Sequence, residues 1–192
     1  MAQRRADRAQ WITNTEREIM ATLARVPRTE YLQEHIPDAL AIIYQAVADL
    51  YADQVPLDDL VTRKRLTREP EEYKGKSDSA KAANQLRSAG INVRVGQRIP
   101  MFYVKGEKPG VYAWGLPEEP KWNQIDKARY RDLLIRSIYQ VLQPLGLSEA
   151  DLTSLVIGGG RQLELWPKES EREELEEASL ADDLFGPFLI IR

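Results

Sequence analysis

The clearest hydrophobic pattern runs through PDALAIIYQAVADLY. There Leu40, Ile43, Tyr44, Val47, Leu50 and Tyr51 recur at the three- and four-residue spacing of one helix face. Pro37 falls in the first turn, where a missing N–H costs nothing, so a helix is predicted from there. Upstream, TNTEREIMATLARV opens with Thr13 and Glu16 in a capping-box arrangement. Ile19, Met20, Leu23 and Val26 follow, predicting a first helix that ends near Pro27. The strongest helix begins at Asp126 and carries Tyr130, Leu133, Leu134, Ser137, Ile138, Val141 and Leu142 on one face, with Gly146 past its end. Ser148 and Asp151 repeat the capping pattern and predict a short helix before Gly158-Gly159-Gly160.

The middle of the chain reads differently. VPLDDLV closes the first helical pair, and Ser77 or Asp78 can then cap a short helix bearing Ala80, Ala83 and Leu86 that stops at Gly90. Beyond Gly90 the period becomes two: Ile91, Val93 and Val95 alternate with Asn92, Arg94 and Gly96, and Ile99 to Val104 is rich in strand formers. Gly106, Pro109 and Gly110 mark a turn, after which GVYAWGLPEE returns as a second strand. The predicted fold class is α+β, mainly helical, with a small antiparallel β element near residues 91–116. Residues 1–155 are expected to form one domain. Residues 156–192 are expected to form an acidic linker, PKESEREELEEASLADD, and an apolar tail, DLFGPFLIIR.

Composition narrows the chemistry. The 192 residues include no cysteine, so thiolate nucleophiles, disulfides and cysteine-held metals are excluded. The one histidine, His35, precedes Ile36-Pro37 and reads as a helix-start residue, leaving no His-based triad or metal cluster to assemble. Asp58-Asp59 is a carboxylate pair whose adjacent side chains diverge, so a turn or helix start accounts for it better than a metal site. Gly158-Gly159-Gly160 lacks the Lys-Ser/Thr of a phosphate loop and reads as a hinge. Nothing positive marks a carboxylate pair for glycoside chemistry. The basic N-terminus has no apolar run behind it, and no window reaches the ~20 apolar residues of a membrane span. A soluble, cytoplasmic protein with no membrane partner is expected.

Charge changes the picture again. The net charge is -3, yet Arg63 to Arg98 holds ten Lys/Arg against four Asp/Glu. Thr67, Ser77, Ser79, Asn84 and Gln85 are interspersed with those cations, and such side chains hydrogen-bond phosphate oxygens. A surface of this kind would hold a nucleic-acid backbone without reading bases; on charge alone, a solvated face is an equal reading.

The order of residues goes further than their charge. Leu60-Val61, Leu66-Thr67-Arg68, Tyr73-Lys74, the alanine-rich stretch from Ala82 to Leu86, Gly90 and the turn glycine Gly96 succeed one another as in the thumb of family B DNA polymerases, which this chain resembles. RRADRAQWITNTEREIM is similar to that family's crossing from palm to thumb, and Asp126, Tyr130 and Gly146 match its Asp-x-x-x-Tyr helix. The resemblance covers roughly residues 4 to 155. Ser79 and Val95 depart from the family, which often has His and Pro there. The palm, nucleotide-site and exonuclease motifs of the family are missing from the sequence.

The resemblance implies a non-catalytic thumb, with the segment 62–98 gripping primer-template duplex through its sugar-phosphate backbone in support of DNA synthesis and processivity. It assigns that grip to Lys64, Arg65, Thr67, Arg68, Lys74, Lys76, Ser79, Lys81, Asn84 and Arg87, supported by Arg4 and Arg5. No catalytic or metal-binding residue and no cofactor is expected in this chain; Mg2+ is expected in a partner chain carrying palm, fingers and exonuclease. Met1 standing at the palm-to-thumb crossing favours a separate subunit of a split polymerase, with an expressed domain fragment as the alternative. Two other functions stay open: an accessory protein bridging to the sliding clamp, and a stand-alone duplex-binding protein. For the bridge, Leu184, Phe185 and Phe188 loosely resemble a clamp-binding peptide. Docking of that tail on its own core or on the palm chain accounts for it equally.

Overall fold

The structure, a computed structural model, describes residues 7–25, 29–73, 77–106 and 110–157. The chain divides into two units, Met1–Thr153 and Ser154–Arg192, and the architecture below is that of the first. Its class is mainly helical α+β with one small antiparallel sheet.

Helix α1 (Gln10–Leu23) is followed by a 3-10 segment (Thr29–His35), helix α2 (Ile36–Tyr51) and one turn of helix, α3 (Leu57–Leu60). Strand β1 (Thr62–Arg65), a 3-10 turn (Pro70–Glu72) and helix α4 (Asp78–Ser88) come next. Strands β2 (Arg98–Tyr103) and β3 (Val111–Ala113), helix α5 (Lys127–Leu142) and helix α6 (Glu149–Ile157) complete the order. Helices α1, α2 and α5 pack against one another. Their buried stripes, Ile12 and Ile19, then Leu40, Ile43 and Leu50, then Leu134, Ile138 and Leu142, form the helical core.

Tyr130 ties that core to the sheet. It is fully buried, its hydroxyl donates to the Leu60 carbonyl at 2.8 Å and accepts the Tyr103 N–H at 3.0 Å, and burial pushes its phenol well above the ordinary range. Asp126 caps α5 by accepting the Arg129 N–H at 3.0 Å. The residues that carried the family likeness in this helix are thus its cap and its buried bridge.

Several local expectations are corrected. Helix α1 begins at Gln10 with Ala9 as its cap, so Thr13 lies inside it and donates to the Ala9 carbonyl. Glu16 turns to Arg8, which also reaches Ser137 of α5, so the expected capping-box acid instead joins two helices. Met20 and Tyr51, counted into the apolar stripes, are 44% and 47% exposed, and Lys127 lies over the Tyr51 ring. Ile91 to Gln97 is loop rather than strand, because Gly96 at φ +93 turns the chain before pairing starts at Arg98. The sheet gains β1 from outside the expected 91–116 region: Thr62 pairs with Met101 and Arg65 with Arg98, while Met101 pairs with Ala113 on the other edge.

Other expectations hold. His35 stands at the N-cap position of α2, its Nδ1 2.9 Å from the Asp38 carboxylate rather than capping a backbone N–H, and Asp58 and Asp59 lie in the single turn of α3. Gly90 at φ +78 ends α4, where the Ile91 N–H returns to the Leu86 carbonyl. Ser148 and Asp151 make a reciprocal cap, with the Asp151 N–H reaching Ser148 Oγ at 3.1 Å and the Ser148 N–H reaching Asp151 at 3.0 Å. The Ser148 hydroxyl also donates to the Asp151 carboxylate at 2.6 Å, and that bond, followed by the one from the Ser148 N–H, holds the Asp151 carboxyl below its usual value. Gly158-Gly159-Gly160 and the acidic tail lie outside the described residues. Among the described residues no helix is long and apolar enough to cross a membrane.

Candidate nucleic-acid interface

The cationic segment is divided by the two-residue period of β1. Thr62 and Lys64 face the side of the sheet covered by α4, while Arg63 and Arg65 face the other side. Register then places Arg98 of β2 directly opposite Arg65, so the outer face of this strand pair presents Arg63, Arg65 and Arg98, all exposed. Arg68 and Arg94, in the flanking loops, are exposed as well.

Lys64 has the opposite environment. It forms an ion pair with Asp78 at the first turn of α4 and lies 5.7 Å from the centroid of the Tyr103 ring. The Tyr103 hydroxyl approaches Asp78 at 3.4 Å. Burial alone would lower the Lys64 ammonium, but the hydrogen bond to Asp78 and the neighbouring Tyr103 outweigh it and raise its pKa above the ordinary lysine value. Its charge therefore secures α4 to the sheet.

Arg87, on α4, is held in the same way. Its guanidinium donates to Glu69 at 2.5 Å, to Glu71 at 3.3 Å and to the Val93 carbonyl at 3.1 Å, and the Glu69 bond leads the causes that raise its pKa. Three elements meet there: the 3-10 turn, α4 and the loop after it. Of the segment's four acids, Asp78, Glu69 and Glu71 are thereby paired with Lys64 and Arg87, leaving the outer arginines the dominant charge of the face.

Hydroxyl groups cluster in the loop after β1 and at the start of α4. The Tyr73 hydroxyl lies 3.0 Å from the Thr67 N–H and 3.1 Å from Thr67 Oγ1, and the Thr67 bond is the chief cause of a lowered Tyr73 pKa. Ser77 caps α4 by accepting the Ala80 N–H at 3.2 Å and stands 3.3 Å from the buried Ser79 hydroxyl. Asn84 is exposed and Lys81 half-buried on α4. Gln85 turns the other way: its amide accepts the Ala113 N–H at 2.7 Å and donates to the Val111 carbonyl at 2.9 Å, closing the edge of β3.

Of the residues expected to form the grip, Arg65, Thr67 and Arg68 are exposed on β1 and the loop after it, and Asn84 is exposed on α4, which covers the other side of the sheet, while Lys64, Ser79 and Arg87 are engaged in internal contacts. Arg4, Arg5, Lys74 and Lys76 lie outside the described residues, as do Leu184, Phe185 and Phe188. Sequence reasoning left out Arg63, Arg94 and Arg98. Arg63 shares the face of Arg65 through the alternation of β1 and Arg98 joins them through strand register, neither of which the sequence signals, because TRKR carries no apolar pattern that marks a strand. Among the described residues there is no group of three or more His, Cys, Asp or Glu able to hold a metal ion.

Comparison with known proteins sets this geometry in context. The family model for DNA polymerase family B matches residues 2–145. The chain is 29% identical over 132 residues to a DNA polymerase of Methanocaldococcus jannaschii and 27% identical over 134 residues to one of Thermococcus aggregans. It is 25% identical over 134 residues to a DNA polymerase of Pyrococcus glycovorans. Each alignment takes in 68% of this chain but only 8%, 7% and 17%, respectively, of the relative. Among solved structures, the family B DNA polymerase of Pyrobaculum calidifontis superposes with a TM-score of 0.60 at 19% identity, covering 74% of this chain and 18% of that one. At that identity the superposition bears on the fold alone.

Proposed function

Because the chain belongs to DNA polymerase family B, we propose that it supplies the thumb of such a polymerase, gripping nascent primer-template duplex by its phosphates. The observation carrying this reading is the outer face of β1–β2, where Arg63, Arg65 and Arg98 are exposed together, with Asp7 3.9 Å from Arg98, while Asp78, Glu69 and Glu71 are paired with Lys64 and Arg87. A polymerase must hold every sequence equally, and guanidinium groups directed at a duplex backbone meet that need because phosphates carry no base information. Thr67, Arg68 and Asn84, with Lys74, Lys76 and Lys81, extend the grip, and Arg4 and Arg5 support it from the palm side. Lys64, Ser79 and Arg87 shape the surface through their contacts with Asp78, Ser77 and Glu69.

In this reading the chain is a non-catalytic subunit of a split polymerase. Palm, fingers, exonuclease and the Mg2+ ions of nucleotidyl transfer belong to a partner chain, and the thumb contributes processivity. Primer extension by a palm-containing partner, with and without this chain, tests it: product length and template affinity increase when the chain is added. No change in either overturns the subunit assignment. The clamp-bridging alternative rests on Leu184, Phe185 and Phe188; it requires that deleting 184–192 abolish clamp pull-down while duplex binding survives.

A further inference from the structure

We propose that the groove between the C-terminal end of α4 and the strand pair β2–β3 holds an unpaired nucleobase; this extends the DNA-binding reading above and rests on it. The groove is shallow and open to solvent, with a volume of about 360 Å³. Leu86, Val93, Ile99 and Pro100 give it apolar walls. Trp114 and Ile91 line it while remaining 39% and 38% exposed. The Trp114 N–H donates to the Pro100 carbonyl at 3.0 Å, so the backbone carrying the indole is fixed to β2.

Isolated exposed apolar side chains are ordinary, but here an indole and an isoleucine share one concavity with Asn92, Gln97 and Arg98. A nucleobase has the matching chemistry: a flat apolar body to stack on the indole and an edge of donors and acceptors for the amides. Gln97 already has its carbonyl oxygen engaged by the Arg94 N–H at 2.9 Å, which leaves its NH2 as the donor.

Charge selects this occupant over an apolar protein surface. The loop from Ile91 to Arg98 holds Arg94 and Arg98 and no acid, and an Arg65 guanidinium nitrogen stands 4.0 Å from where a Cβ on Gly96 would be. Arg98 faces Asp7 at 3.9 Å, both about half exposed, a pairing weak enough for a phosphate to displace. Glu118 and Glu119 follow Trp114 in the chain but do not line the groove. The cationic rim runs into the arginine face, so an unpaired nucleotide adjoining the gripped duplex would reach it.

Fluorescence anisotropy on the full chain tests the assignment, comparing a labelled blunt duplex with the same duplex bearing a short single-stranded extension. The extension should tighten binding to the wild type. Trp114→Ala should lose that gain, by roughly five- to a hundredfold, and Trp114→Phe should keep most of it. Blunt-duplex affinity should be the same in all three. An equal gain in Trp114→Ala, or no gain in the wild type while blunt duplex still binds, overturns the nucleobase site and leaves the grip standing. Failure to bind either DNA overturns both. Self-association in sedimentation that Trp114→Ala abolishes, with the extension gain intact, would identify a protein surface as the occupant instead.

Discussion

At Lys64 the ammonium hydrogen-bonds Asp78 and stands over the Tyr103 ring, and this contact distinguishes it from the arginines on either side. Removing its charge as Lys64→Met leaves the largely buried Asp78 without its ion-pair partner, with the Tyr103 hydroxyl at 3.4 Å still beside it, and a urea midpoint should fall by the equivalent of about 1–3 kcal/mol. Because the folded state holds the Lys64 proton more tightly than the unfolded chain does, this contribution is complete below the ordinary lysine pKa. It is lost as pH rises through the higher folded value. Wild type and Lys64→Met should therefore converge in stability at strongly alkaline pH; a constant gap would show that proton binding at Lys64 is not what stabilises. Tyr130 makes a parallel case without titration: Tyr130→Phe strips a buried hydroxyl from the Leu60 carbonyl and the Tyr103 N–H. It should cost about 1–3 kcal/mol in the same assay.

At the scale of elements, the sheet and α4 act as one plate. Helix α4 contacts all three strands, the Gln85 amide closes the β3 edge, and the Lys64–Asp78 and Arg87–Glu69 pairs join it to β1 and to the 3-10 turn. Its start depends on Ser77, so Ser77→Ala should lower stability by about 1 kcal/mol, with the loss concentrated in amide-exchange protection of the first turn of α4. Uniform loss across the whole plate would mean that α4 does not open separately from the strands. The short helix and its glycine stop were legible because cap, apolar spacing and terminator are all local. Strand β1 was not, since TRKR lacks any apolar alternation and becomes a strand only by pairing with residues 98–101.

For the whole molecule, the prediction that separates the grip from a general charge effect is its salt dependence. Duplex affinity should fall with log salt at about -0.9 per phosphate contact, and replacing Arg65 and Arg68 together by alanine should flatten the slope by roughly two units. Lys64→Met should leave the slope unchanged, because that charge is engaged with Asp78. An unchanged slope in the arginine variant would remove β1 and its loop from the interface.

Taken by itself, the sequence determined the helical stripes of α2 and α5, the reciprocal cap at Ser148 and Asp151, the end of α4 at Gly90, and the family likeness carried by motifs in order. Each depends on residues close together in the chain, or on the order of short motifs. Tertiary structure decided which cations are presented outward and which are held. Asp78 reaches Lys64 and Arg98 lines up with Arg65 only after β1 pairs with β2, contacts that no local spacing encodes. The same holds for Arg8, which joins Glu16 to Ser137 across two helices, and for Trp114, whose exposure beside Arg98 depends on how the end of β3 packs against β2. Charge excess is a property of composition, whereas a binding face requires the long-range pairing that sets each side chain's direction.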